Sequence, residues 1–231
     1  MSARRVVDLS QPLGPAAVLW PGTDPVEARA VSSIEADGAY ARRIETPEHV
    51  ATHLDAPAHF VAEGMTTDTI PAERLVVEAA LLDVAERCAE DSDFVLEAAD
   101  LEEHERRDGE IAEGSAVLLR TGWEGHLADP GRYLGGTTEG DLHFPGFAES
   151  AARLLIERGV VGIGSDTVSV DAGNATGFPV HHATLRAGLW HLEGLVNLAR
   201  LPPRGLTLFV GALALVDGSG SPARVLALLP D

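Results

Sequence analysis

Lysine is absent from this chain: all seventeen basic residues are arginine. Without an ε-amine there is no Schiff-base chemistry, no phosphate-loop lysine and no Ser-Lys dyad. Cysteine is nearly absent too. Cys88 alone excludes an intramolecular disulfide and a thiolate metal cage. Its polar setting, ERCAEDSD with no histidine nearby, makes it a bystander rather than a nucleophile. The serine-hydrolase elbow G-x-S-x-G does not occur. No run of 18 apolar residues could span a bilayer, and MSARRVVDLSQPL lacks the apolar region of a signal peptide, so a soluble, cytoplasmic protein is expected. Positive charge is scarce: thirty-six acidic residues leave a net charge of −19, which repels nucleic-acid phosphates and anionic membrane surfaces. Neither is an expected partner.

What is present fits one mixed α/β domain over 1–231, since 231 residues at 45% hydrophobic content can bury one substantial core. RVVDLSQPL and VLWPG read as short extended pieces broken by prolines, and RLVVEAALLDV (74–84) is an apolar run bounded by charge. SAVLLRTGW (115–123) and GVVGIGSD (159–166) read as buried strands. FAESAARLLIERG between them places Phe147, Ala151, Leu154 and Leu155 on one helical face, with Gly159 as the stop. Residues 97–108 are polar almost all round and suggest an exposed helix with a solvated His104. A helix is expected after Pro179, then the apolar WHLEGLVNLARL. Two C-terminal strands are expected to join through the turn at 218–221.

Chemistry concentrates in HVATHLDAPAH, which carries His49, His53, Asp55 and His59 between Pro47 and Pro57. Four such groups packed closely are costly to bury without a compensating cation, so a divalent metal is implied. A straight strand would put His49 and His59 roughly 33 Å apart at about 3.3 Å per residue. The chain must therefore bend. A tight loop or helical turn over 49–53 brings those two imidazoles together, two extended steps carry His53 and Asp55 to one side, and Pro57 turns the path to aim His59 near the site.

HVATHLDAPAHF, RTGW (120–123), GSDTVSVD (164–171) and PVHHATLRAGLWHLEGLVNL (179–198) together resemble the putative cyclase family of kynurenine formamidase-like, metal-dependent hydrolases. The family signature is H-x-G-T-H-x-D-x-P-x-H, and Ala51 stands here where the family has glycine. The resemblance implies the swivelling β/β/α fold. It makes His49, His53 and Asp55 ligands of a first ion, with Asp55 reaching a second. It makes His59 the acid and base. A histidine and a glutamate twelve residues apart complete the ligands, selecting His181 with Glu193 over His182. Trp20 matches the substrate-contacting aromatic. Asp166 and Asp171 are read as turn residues bracing the site, and His126, His143 and His191 as structural or solvent-facing.

Mixed imidazole and carboxylate ligands without thiolate suit zinc first or manganese, with two ions per subunit. The implied activity is water-driven hydrolysis of a C–N amide bond, with an aryl formamide such as N-formylkynurenine as first substrate. A homo-oligomer is the family habit. Rival readings are a same-family hydrolase of a cyclic amide such as isatin or of a lactone, a 2-His-1-carboxylate iron oxygenase with Arg200 for an oxoacid, and a non-catalytic metal-binding protein.

Overall fold

A computed structural model describes residues 5–138 and 141–230. In chain order the strands are β1 (Val6–Asp8), β2 (Glu27–Ser32), β3 (Ala41–Glu45), β4 (His53–Asp55), β5 (Val76–Asp83), β6 (Val95–Leu96), β7 (Ala116–Arg120), β8 (Gly146–Phe147), β9 (Gly162–Ser165), β10 (Trp190–Glu193), β11 (Leu206–Ala212) and β12 (Gly220–Leu228). The helices are α1 (Ile34–Asp37), α2 (Ala85–Glu90), α3 (Ala98–Asp108), α4 (Pro130–Leu134), α5 (Glu149–Glu157) and α6 (Pro179–Arg186). Among the described residues, β12, β11, β5, β7, β9, β10 and β4 follow one another and β4 returns to β12, which closes a barrel with β1 added at β12. The run β5–β7–β9–β10 is parallel and the remaining pairs are antiparallel.

Strand periodicity sorts the two faces, because successive side chains leave a strand on opposite sides. Val77, Ala79 and Leu81 of β5 meet Ala116, Leu118, Leu206 and Leu208 inside the barrel. Leu82, Val117, Leu119 and Ile163 point outward and pack on Cys88, Leu101, Ala151, Leu155 and Val180 of the helices. Glycine is required where β9 passes β10: a Cβ at Gly162 would lie 2.3 Å from the Trp190 ring. The interior space that β9 leaves empty holds that indole.

Several expectations change. Phe147 is not helical; it belongs to β8, where its N–H donates to the Val170 carbonyl at 2.8 Å, and α5 starts two residues later. Pairing with distant backbone outweighs the local helical pattern. The helix over 98–108 forms, but it is not exposed all round. Leu101 is buried against α5, and His104, three residues on and therefore on the same face, is buried too, its Nδ1 3.2 Å from Asp108 instead of in solvent. VLWPG forms no strand, and leaves Val18 buried and Trp20 half-buried in a loop. The C-terminal turn falls at 216–217, while Gly220 and Ser221 already pair with Asp55 and Leu54 of β4. A separate arm, the hairpin β2–β3 with α1 at its tip, exposes Val31, Ile34, Tyr40 and Ile44.

Candidate metal centre

Strands β4 and β10 build the site by register alone. They run antiparallel with His53 opposite Glu193, Leu54 opposite Leu192 and Asp55 opposite His191. The two leucines fill the barrel, so the four polar side chains share the outer face. Before β4 the chain turns tightly at Ala51, whose φ is 53°, and swings His49 back until its Nδ1 is 2.7 Å from Asp55 Oδ1. After β4 the turn Pro57–His59 stacks the His59 ring on His49, with centroids 3.8 Å apart. Helix α6 supplies His181 from the other side, whereas His182 faces outward.

The donor atoms converge around Asp55. Its Oδ1 is 3.2 Å from His53 Nε2, and its Oδ2 is 3.3 Å from His181 Nε2. Glu193 reaches His53 Nε2 at 3.3 Å and His181 Nε2 at 3.4 Å. Ligands about 2.1 Å from a tetrahedral ion lie about 3.4 Å from one another, so these separations fit a divalent metal. Asp55 Oδ2 is buried without a hydrogen-bond partner, as expected of an atom shaped for a cation. Outer partners aim the rings: His53 Nδ1 meets the Ala51 carbonyl at 3.2 Å, and His181 Nδ1 meets Asp171 at 2.6 Å. Asp171 also accepts from the backbone N–H groups of Val180 and His181, tying α6 to the site. Asp166 instead accepts from Thr121 N and Oγ1.

Charge in this group is tightly balanced. Burial alone would depress His53, but the carboxylates of Asp55 and Glu193 hold it up at about 10. Burial alone would raise Glu193, as would the charge of Asp55, yet bonds from His181 and His53 bring it down to about 2. His181 is raised in the same way by Asp171, Asp55 and Glu193 against its burial. Protons on these imidazoles thus neutralise the carboxylates in the metal-free protein, and metal must displace them. Because the folded value of His53 lies above its ordinary 6.5, its contribution to metal-free stability is complete below that pH and is lost as pH rises through about 10. Between pH 7 and 10 the metal-free protein should therefore melt at progressively lower temperature while metal affinity increases. Thermal melts and chelator-competition titrations check this, and an unchanged melting temperature with unchanged affinity would count against it.

His59 behaves differently: partial burial, reinforced by the charges of His49 and His181, lowers it to about 4 against the pull of Asp55 and Glu193. Its ring is neutral at pH 7. It faces a cavity of about 400 Å³ walled by Trp20, Phe60, Phe178 and Tyr133. The Trp20 and Phe178 rings are 5.8 Å apart, and Phe60 and Phe178 5.6 Å. Among the described residues no arginine lines this cavity, and Arg200 is exposed on the turn Leu198–Arg200, which removes the oxoacid-binding role it would need in an iron oxygenase.

His126 lies beside Trp123 and His143 pairs with Asp93 at 2.9 Å, both away from the cluster. Burial pushes the Cys88 thiol up to about 12, in keeping with an inert side chain. His191, by contrast, expected from the sequence to be structural or solvent-facing, is wholly buried in the donor cluster. Its alternation with Glu193 in WHLE was the available signal.

Ala51 carries strain that a glycine would not. A non-glycine residue in the left-handed region costs about 1–2 kcal/mol, partly offset by the roughly 0.4–1 kcal/mol that alanine gains over glycine through its stiffer unfolded chain. Ala51→Gly should raise the melting temperature by up to about 6 °C, given about 2–4 °C per kcal/mol at this chain length. Calorimetry checks it, and a lower melting temperature would show the turn to be unstrained.

A family profile described as Putative cyclase matches residues 7–172. The isatin hydrolase of Roseibium aggregatum is 34% identical over 219 residues, which is 90% of this chain and 82% of that protein. The kynurenine formamidase of Salinibacter ruber is 31% identical over 231 residues, covering 98% of this chain and 99% of its relative. A crystal structure of an isatin hydrolase bound to the product analogue thioisatinate superposes with a TM-score of 0.92 at 33% identity, over 98% of this chain and 92% of that one. The polar face of β4 and β10 thus lies in a chain that belongs to the putative cyclase family of metal-dependent hydrolases.

Proposed function

We propose that this protein hydrolyses a C–N amide bond in a compact, uncharged aromatic substrate, with a cyclic amide of the isatin type ahead of N-formylkynurenine. The observation that carries this is the cavity wall: the rings of Trp20, Phe60, Phe178 and Tyr133 and, among the described residues, no arginine. N-formylkynurenine carries an α-carboxylate, which is costly to desolvate without a charged partner. A protein of net charge −19 does not offset that cost at long range. A neutral, planar ring system meets no such penalty and can lie against the wall formed by Trp20, Phe60 and Phe178. This reverses the order of substrates expected from the sequence.

His49, His53 and Asp55 would hold one ion, and Asp55, His181 and Glu193 a second, with zinc first and manganese next. Divalent ions there supply a Lewis acid for the scissile carbonyl and lower the pKa of water towards about 7. The chain's own residues do the rest. Trp20 and Phe178 orient the ring, and the apolar walls exclude bulk water. Neutral His59 accepts the proton of the attacking water and passes it to the nitrogen as the C–N bond breaks. Water is added across the bond, and the products are a carboxylate and an amine.

Comparison of kcat/KM for isatin, N-formylkynurenine and a simple aryl lactone on metal-reconstituted protein tests the substrate class. Isatin should lead by at least about 10-fold, the scale of one unpaired polar group in a binding site; formylkynurenine ahead by that margin would refute the reading. Activity that survives full chelation, and is unchanged by added zinc or manganese, would refute the metal-dependent reaction itself.

We assign the β2–β3 arm to a second copy of the chain. It presents four exposed apolar side chains, a patch that a second copy would cover. A monomeric mass by light scattering would remove this assignment.

A further inference from the structure

His191 has no role in the ligand sets above, yet its surroundings leave it only one. Its Nε2 lies 2.6 Å from the Thr184 hydroxyl, which in turn donates to the Val180 carbonyl at 2.7 Å. A hydroxyl has one hydrogen, so Thr184 Oγ1 meets the ring as an acceptor and the proton sits on Nε2. Nδ1 therefore presents a bare lone pair. It points at a carboxylate: Nδ1 is 3.5 Å from Asp55 Oδ2, and neither atom has a hydrogen-bond partner. Two acceptors facing each other, on residues 0% and 1% exposed, repel, and the bare Nδ1 bears a desolvation cost with nothing to offset it. A cation between them turns that repulsion into two bonds.

The remaining donors are already in place. One donor atom from each of Asp55, His181, His191 and Glu193 lies within 4.8 Å of the other three. The pattern is also what the strand dictates, since His191 and Glu193 alternate on β10 and leave on the same face as their partners Asp55 and His53. We propose that His191, through Nδ1, is a ligand of the second ion, completing a four-residue donor set with Asp55, His181 and Glu193. The inference rests on the two-ion reading above. It makes the two positions unequal. Four protein donors close a coordination sphere in the manner of a structural site, whereas the three offered by His49, His53 and Asp55 leave a position open for substrate or water. Thr184 becomes the positioning residue that holds the required tautomer of His191.

Histidine labelled with ¹⁵N and protein loaded with ¹¹³Cd²⁺ alone provide the test, read by NMR without any turnover. The Nδ1 resonance of His191 should be split by coupling to cadmium, as should the Nε2 resonances of His53 and His181. His191→Phe identifies the signal by its disappearance. If that variant does not fold, Thr184→Val identifies it instead, because removing the hydroxyl shifts the His191 ring while leaving the ligand atom intact. Thr184→Val should also weaken cadmium binding by about 10–100-fold, the usual cost of losing an outer partner. An unsplit His191 beside split His53 and His181 overturns this inference and leaves the metal centre standing. Splitting at none of the three overturns both.

Discussion

Asp55→Ala should abolish binding at both metal positions and all hydrolysis with it. Asp55 touches both halves of the cluster and, unlike Glu193, also meets His49: Oδ1 lies 2.7 Å from His49 and 3.2 Å from His53, and Oδ2 lies 3.3 Å from His181. Outer-shell losses already weaken metal binding by roughly 10–100-fold, so losing a shared inner carboxylate should exceed about 100-fold at each position. It also leaves Glu193 as the one carboxylate in the four-donor group to balance two dications. The substitution acts on the fold as well, since the opposing charge that holds His53 at about 10 disappears and a buried imidazole is left with a weaker partner. Asp55→Asn separates the two effects by keeping the shape while removing the charge. Elemental analysis of the purified variants is the measurement, and a full complement of two ions in either would rule out a bridging aspartate.

The second large effect belongs to His59→Ala, which should keep both ions while losing about 10²–10⁴-fold in kcat, the usual span for a positioned acid or base. The ring stands at the cavity rim, partly exposed and stacked on His49, so its removal opens no void in the core. KM should change little, because the substrate-facing walls at Trp20, Phe60 and Phe178 remain. The pairing of the two variants is informative. If His59→Ala loses metal as completely as Asp55→Ala, His59 is a ligand, which its distance relations to His49 and Asp55 would permit. If kcat is unaffected, another group moves the proton.

Much of this arrangement could be read along the chain. His53-x-Asp55 already places two donors on one face of any extended segment, and Pro57 already forbids the strand from continuing straight. The bend between His49 and His53 follows from the same spacing, because a straight path would hold the first histidine out of reach. The buried strands β7 and β9 and the helix α6 after Pro179 are equally local, each being a short apolar or amphipathic run with its own punctuation. His181 and Glu193 were placed with the cluster by family resemblance, not by their spacing.

Local chemistry, then, determined which side chains could hold a cation and that the chain must fold back to gather them. Which of them meet was decided by tertiary structure. His191 joins the cluster because the β4–β10 register sets it opposite Asp55, and a shift of one residue would have turned it into the barrel beside Leu54. His104 is buried on the face of α3 that carries Leu101, and Arg200 is excluded because the turn that carries it faces solvent. The aromatic cavity wall likewise joins Trp20, Phe60, Tyr133 and Phe178 from four separate segments. Residue type is a property of one position, but register, burial and the sign of a pocket belong to pairs of distant positions, and only the closed barrel brings those pairs together.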